Sequence, residues 1–300
     1  MPAAAPSSPH MAVLQRAAAS LERAGQALRR ADFDAMHDGL QQGLADLAAL
    51  AHAGQLPRLP AAPAVAWDGA RMERWVWQLL AQLKQAGCRA FPFAGTLLGL
   101  ERDGRLLPQD KDADLGVWLE DFTLACRVLQ ALGLRPVDNA PPFDNMASLL
   151  DPASGLSVDL FGIRRDPLAC RLEGGVWLYG RPPHHQRITH YPWLELAPRA
   201  GPAGEVWWPE PADGLLAALY GDWRQPQPEW DSLVSCLAVQ DTNLQWRCWA
   251  LKSLSERWLS GDLGRTRRLL DQIERRAGAD AQLRSYRAAL DAALAMAAGP

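Results

Sequence analysis

Residues 95–115 read GTLLGLERDGRLLPQDKDADL: a Gly-Thr turn, a helical run ending near Arg102, a second turn at Gly104, then Asp110, Asp112 and Asp114 in alternation. In an extended strand side chains alternate between faces, so Asp112 and Asp114 project together while Ala113 and Leu115 form the apolar side. Two carboxylates on one face repel each other unless a cation sits between them, and hard oxygen donors favour Mg²⁺ or Mn²⁺ over zinc. Mg²⁺ fills the rest of its shell with waters and substrate phosphates, so an Asp-x-Asp strand implies a phosphorylated or nucleotide substrate. A solvated acidic turn is the alternative for a bare Asp-x-Asp. The upstream half of the stretch argues against it.

Phe91-Pro92-Phe93-Ala94 reads as a short strand, and Leu97-Leu98-Gly99-Leu100 as the first turn of a helix. Gly95 between them permits close backbone approach. Thr96 is placed to cap the helix with its hydroxyl, and the N–H groups of a helix start attract phosphate. An isolated acid also stands inside an apolar alternation downstream. Met146–Leu150 and Leu156–Ile163 are strand-like runs joined by Asp151-Pro152-Ala153-Ser154-Gly155, and the second carries Asp159 between Val158 and Leu160. An acid there is costly to bury alone, so a metal or a general-base role is more economical than a structural one.

The run from Gly95 to Leu115 resembles the signature of the LicD/fukutin family, with which it aligns without a gap. Two further blocks extend the resemblance: Val158-Asp159-Leu160-Phe161, and Val206-Trp207-Trp208-Pro209 followed by Tyr220-Gly221-Asp222-Trp223 and Pro226. Together the blocks span about Trp67 to Trp230. The resemblance implies an α+β protein with a nucleotidyltransferase-fold mixed sheet and packed helices. It also implies a reaction, in which a phosphorylated alcohol such as phosphocholine or ribitol phosphate moves from a CDP-activated donor to a sugar or glycan hydroxyl. Carried over by position, Asp112 and Asp114 are metal ligands and Asp159 is the third ligand or the base that deprotonates the acceptor. Gly95 and Thr96 contact the donor phosphates, and Arg102 offsets charge on the transferred phosphoryl group.

Gln109 and Lys111 depart from the family pattern, in which Trp and a further Asp are common, and Asp103-Gly104-Arg105 replaces a His-Gly-Gly stretch. These changes spare the metal carboxylates and fall on the acceptor side. Asp110 either shares a face with Asp112 or, following Pro108, belongs to a turn. Nucleotidyl transfer to a small acceptor is a close enzymatic variant, and a helical scaffold that merely retains the fold is a reading of a different class.

The 300 residues carry 31 Lys and Arg against 34 Asp and Glu, a net charge of −3 that gives no broad field toward nucleic acid or anionic membrane. The five cysteines are scattered and lack Cys-x-x-Cys spacing, which predicts free thiols in a reducing compartment and no zinc site. No stretch is long enough to span a bilayer, so a cytoplasmic protein without a transmembrane segment is expected.

Residues 1–10, rich in Ala, Pro and Ser, read as a disordered tail. Residues 11–63 read as a helical hairpin with a linker: apolar residues recur at helical spacing over Val13–Arg30 and Asp32–Ala53, and Gln55–Pro63 holds three prolines. A catalytic domain over 64–235 opens with the apolar stripe Met72, Val76, Leu79, Leu80 and Leu83. A helical region follows over 236–300, and its Ala250–Leu270 stretch resembles a tetratricopeptide-type repeat. Of the thirteen tryptophans, Trp207, Trp208, Trp223 and Trp230 surround the last block, where they either stack on a base or sugar or pack the core. His184, His185 and His190 with Arg181 and Arg187 form a basic cluster suited either to an anion or to a solvated loop.

Overall fold

A computed structural model describes residues 9–55, 69–108, 110 and 112–298. Residues 1–8 of the tail expected over 1–10, most of the proline-bearing linker, Gln109 and Lys111 lie outside the described residues, while Pro9 and His10 belong to the first helix rather than to a tail. In chain order the elements are α1 (Pro9–Arg29), α2 (Phe33–His52), α3 (Gly69–Gln85), β1 (Ala90–Pro92), α4 (Ala94–Arg102) and β2 (Asp112–Trp118). Next come α5 (Phe122–Ala131), β3 (Arg135–Pro136), β4 (Met146–Leu150), β5 (Ser157–Asp166), β6 (Arg171–Val176) and β7 (Arg187–Pro192). The last elements are β8 (Glu195–Gly201), β9 (Gly204–Glu210), α6 (Ala212–Tyr220), α7 (Leu244–Leu259), α8 (Leu263–Ala277) and α9 (Ala281–Ala298). Among the described residues no helix is long and apolar enough to cross a membrane.

The chain divides into two compact units. One joins Met1–Ala64 to Glu229–Ser235 and Thr242–Pro300; the other holds Val65–Pro228 and Cys236–Asp241. The division drawn from the sequence treated the N-terminal hairpin and the C-terminal helices as separate regions and broke the chain at 235/236. Periodicity marks which face of a helix is apolar but not which partner covers it, and here the two ends of the chain cover each other. In this helical unit α2 packs against α1, α7 and α9 around Phe33, Leu44, Leu47, Trp246 and Trp258, all fully buried. Asp32 and Asn243 cap α2 and α7 by accepting from Ala35 N–H and Trp246 N–H, and Asp262 caps α8 by accepting from Arg265 N–H.

The other unit is built on a mixed sheet in the order β1-β2-β5-β4-β3, with a β6–β7 hairpin added along the end of β5. β2 and β5 run parallel, and the remaining pairs are antiparallel. Ala113, Leu115, Val117, Val158 and Leu160 are fully buried on one face of this central pair. Phe122 at the start of α5 lies against Gly162 on that face, and α3 packs beside α5 and β1. The alternating acids of β2 and β5 therefore fall on the opposite face.

The β8–β9 hairpin forms a separate two-stranded sheet that packs on α3. Of the adjacent tryptophans, Trp208 is buried and stacks on Trp77 at 5.9 Å, while the Trp207 ring carries the Lys84 ammonium at 3.3 Å. Trp223 is buried and donates Nε1–H to Asp213. These three rings are engaged within their own unit.

Candidate active site

The turn from β1 into α4 begins the site. Ala94 holds φ at +39°, a conformation that an alanine adopts only when its surroundings impose it, and Gly95 follows. Phe93, not Thr96, occupies the N-cap position, and it makes no side-chain cap. Phe93 N–H instead donates to Asp114 O, which stitches the helix entry to β2.

Thr96 departs from its expected role as a cap. Its hydroxyl is buried and accepts the Asp114 N–H at 2.9 Å, while Gly95 N–H donates to Asp114 Oδ2 at 2.9 Å. Both residues expected to meet substrate phosphates are thus held against Asp114. The sequence places them correctly next to the acids. Their hydrogen-bond partners become visible only when β2 is seen lying against α4.

Register sets the acids. Asp112 lies opposite Ser157 and Asp114 opposite Asp159 in the parallel β2–β5 pair, so Asp114 and Asp159 are direct neighbours on one face. On its other side Asp159 faces Ser148 of β4, whose hydroxyl hydrogen-bonds the carboxylate. Burial raises the Asp159 carboxyl to about 6 against the Ser148 bond, with Asp112 adding to the rise. Asp114 rises well above the ordinary carboxylate range through burial first, then the charges of Asp112 and Asp159, opposed by the Gly95 bond.

Asp110 precedes β2 in a turn, with its N–H bonded to Leu107 O. Its carboxylate nevertheless belongs to the cluster. A Cβ added at Gly95 would lie 3.1 Å from Asp114 Oδ2 and 3.3 Å from Asp110 Oδ2, so both carboxylates crowd the helix start. Asp110 Oδ2 is buried without a hydrogen-bond partner, and burial with the nearby Asp112 charge pushes its carboxyl up to about 7. Tyr220, at the end of α6, faces the same group: burial, then Asp114 and Asp110, drive its phenol well above the usual tyrosine range. The helix α6 packs on α4, which accounts for that position. Tyr220 was quoted in the sequence only as part of a block, and nothing in its spacing assigns it to the acids.

Arg102 sits elsewhere in its bonding. Its guanidinium holds the Asp103 carboxylate through Nε at 3.1 Å and Nη2 at 3.0 Å. Of the histidine cluster, His185 is buried, His184 packs edge-on to it at 4.5 Å, and His190 pairs with Glu173 at 3.5 Å.

Among the described residues no group of three or more His, Cys, Asp or Glu side chains stands in ligating geometry. Asp114 accepts from Gly95 N–H, and Asp159 is hydrogen-bonded to Ser148. The donor set fits a hard divalent cation all the same. All the acids are oxygen donors, three of them share or border one face, Asp110 Oδ2 is buried without a donor, and Gly95 puts no side chain between Asp110 and Asp114.

Comparison with known proteins bears on this segment. The family model described as "LicD/FKTN/FKRP, nucleotidyltransferase domain" matches residues 87–146, which run from before β1 to the start of β4. Asp159 and the Tyr220–Trp223 block lie beyond the matched residues. No curated protein matches the sequence. Among solved structures, the solution structure of the antibiotic-resistance factor ANT(2'')-Ia is similar, at 12% identity and a TM-score of 0.33, covering 77% of this chain and 96% of that one.

Proposed function

We propose that this chain, whose residues 87–146 match the LicD/FKTN/FKRP nucleotidyltransferase-domain model, is a divalent-metal-dependent transferase that moves a phosphorylated alcohol from a CDP-activated donor to a sugar or glycan hydroxyl. The observation that carries the reading is the pairing of Asp114 with Asp159 across β2 and β5, on the face opposite α5 and against the start of α4, with Asp112 one alternation along.

Asp112, Asp114 and Asp159 would hold Mg²⁺ or Mn²⁺. Bound there, the cation supplies positive charge that neutralises the donor phosphates and the charge developing on the transferred group. The start of α4 at Gly95 and Thr96 would receive the donor phosphates, because a helix N-terminus presents N–H groups and the positive end of its dipole. Where Asp112 and Asp114 alone hold the cation, Asp159 is instead the base that takes the acceptor proton. The acceptor oxygen forms a bond to the phosphorus bearing the alcohol, the bridging bond to the nucleotide breaks, and CMP leaves. Arg102 would have to exchange Asp103 for the phosphoryl group, so we assign it a supporting part.

Incubation of the protein with CDP-choline or CDP-ribitol and a panel of sugar acceptors, with Mg²⁺ or with EDTA, tests the proposal. Release of CMP only with Mg²⁺ supports it. Release of diphosphate from a nucleoside triphosphate instead would point to nucleotidyl transfer. Binding of no nucleotide under any condition would leave a scaffold.

A further inference from the structure

A cleft of about 540 Å³ lies in the sheet-bearing unit, lined by Leu119, Glu120, Arg164, Arg165, Pro167 and Trp193. That volume is in the range of small-molecule sites. Its place follows from the sheet. β2 pairs with β5 as far as Trp118 opposite Ile163, and the chain then turns away through Leu119–Asp121. Arg164–Asp166 continue β5 in pairing with β6, so the edge of β5 that β2 leaves fronts the cleft. Arg164 and Arg165 are neighbours on a strand and leave it on opposite faces, which brings them to the cleft from either side.

Each of the two guanidiniums ends a chain of alternating charges. Arg165 pairs with Glu120, which Arg89 also holds at 3.4 Å, and Arg89 in turn holds Asp121 at 2.6 Å. Arg164 pairs with Glu173, which Arg171 also holds at 2.9 Å, and Arg171 faces Asp166 at 3.5 Å. Glu173 is buried; burial raises its carboxyl, yet Arg164 and Arg171 hold it below the ordinary range. Each acid beside a cleft arginine therefore has a second cation. An arginine carries five N–H donors, of which Arg164 commits Nε and Nη2 to Glu173 and Arg165 commits Nη2 to Glu120. The remaining donors suit an anion, which a guanidinium binds through two parallel hydrogen bonds. Trp193, whose Nε1–H donates to Glu195 at 2.8 Å, brings an indole to the cleft beside Leu119 and Pro167, and Glu120 brings an acceptor for hydroxyls.

We propose that this cleft binds a sugar unit bearing a carboxylate or a phosphate: the arginines take the anion, Glu120 a hydroxyl, and Trp193 the apolar face of the ring. Arg165 stands six residues beyond Asp159 on β5, about 20 Å along the strand, so the bound unit is remote from the acids of the candidate active site. That the unit belongs to the acceptor glycan, several sugars from its reacting hydroxyl, rests on the transferase reading; the binding itself does not.

Ligand-observed NMR titration of the 300-residue chain with methyl glucuronide, glucose 6-phosphate, methyl glucoside and inorganic phosphate tests it. Wild type should bind one or both charged sugars at least about tenfold more tightly than the neutral glucoside and than phosphate alone, and the tighter of the two identifies the anion. Arg164→Gln and Arg165→Gln should each weaken the charged sugars about tenfold, as expected for a lost charge-assisted contact, and Trp193→Ala should weaken them too. Equal binding of charged and neutral sugars, undiminished charged-sugar binding in both arginine variants, or phosphate binding as tightly as the sugars would overturn the proposal. If the variants do not fold, the Trp193 indole N–H resonance of wild type decides: glucuronide or glucose 6-phosphate should shift it, and no shift from either overturns the proposal. Charge-selective binding without CMP release from any CDP-activated donor would keep the site and defeat the transferase reading alone; CMP release without charge-selective binding would defeat the site alone.

Discussion

Asp114 and Asp159 are direct partners across the parallel β2–β5 pair. Neighbouring strands lie about 4.8 Å apart, so two ionised carboxylates in this relation repel by roughly 3 kcal/mol at an effective dielectric constant of about 20. The chain accepts that cost on a sheet whose other face is fully apolar. Hydrogen bonds from Gly95 and Ser148 offset part of it, and proton uptake offsets more. A fold that gains nothing from the pair has no physical reason to hold it.

Proton uptake by the cluster makes stability depend on pH. Burial and Asp112 raise Asp110 to about 7, and burial, against the Ser148 bond, leaves Asp159 at about 6. Both exceed the ordinary value of about 4. Between about pH 4 and 7 the folded chain therefore keeps protons that the unfolded chain has released, and these groups lower stability as pH rises through that window. Asp110→Asn cannot ionise. Without metal it should raise the melting temperature at pH 7.5 by the equivalent of roughly 1–2 kcal/mol, discounted for partial exposure, and by about half that or less at pH 5. Calorimetry at both pH values checks this; an equal gain at both would contradict the assignment.

Gly95→Ala would push a methyl between Asp114 and Asp110. The contacts are with side-chain ends, which can swing aside, so the fold should survive with a loss under about 1.5 kcal/mol. Mg²⁺-dependent CMP release should fall about 100-fold, because both the carboxylates and the phosphate approach are displaced. A variant of normal activity would remove Gly95 from the site.

Gly99→Ala acts at a distance. A Cβ there would stand 2.7 Å from Arg105 O and 2.9 Å from Leu107 N, backbone atoms of the segment that leads to Asp110. Backbone cannot yield as a side chain does, so urea denaturation should show a loss of about 1–3 kcal/mol, with activity reduced beyond the fraction unfolded. Unchanged stability would mean that this segment is free to move away from α4.

The strands, the helix after Gly95 and the three acids were legible because each rests on local signals: alternation, a turn glycine and the cost of burying a lone acid. The same signals could not show that Thr96 gives its hydroxyl to Asp114 instead of capping α4, since that bond joins residues 18 apart. Asp110 stayed undecided for a similar reason. Strand β2 begins at Asp112, yet the turn before it folds the Asp110 carboxylate back toward Gly95. Tyr220 reaches the acids only through packing of α6 on α4, and the joining of the two chain ends into one helical unit likewise depends on which faces pair.

The most direct test is Mn²⁺ binding followed by electron paramagnetic resonance at pH 7.5, comparing wild type with Asp112→Asn and Asp159→Asn. Wild type should bind one Mn²⁺ per chain in competition with Mg²⁺, and each variant should weaken binding at least about 10-fold. Undiminished Mn²⁺ affinity in Asp159→Asn would contradict the claim that the β2–β5 pair forms the metal site.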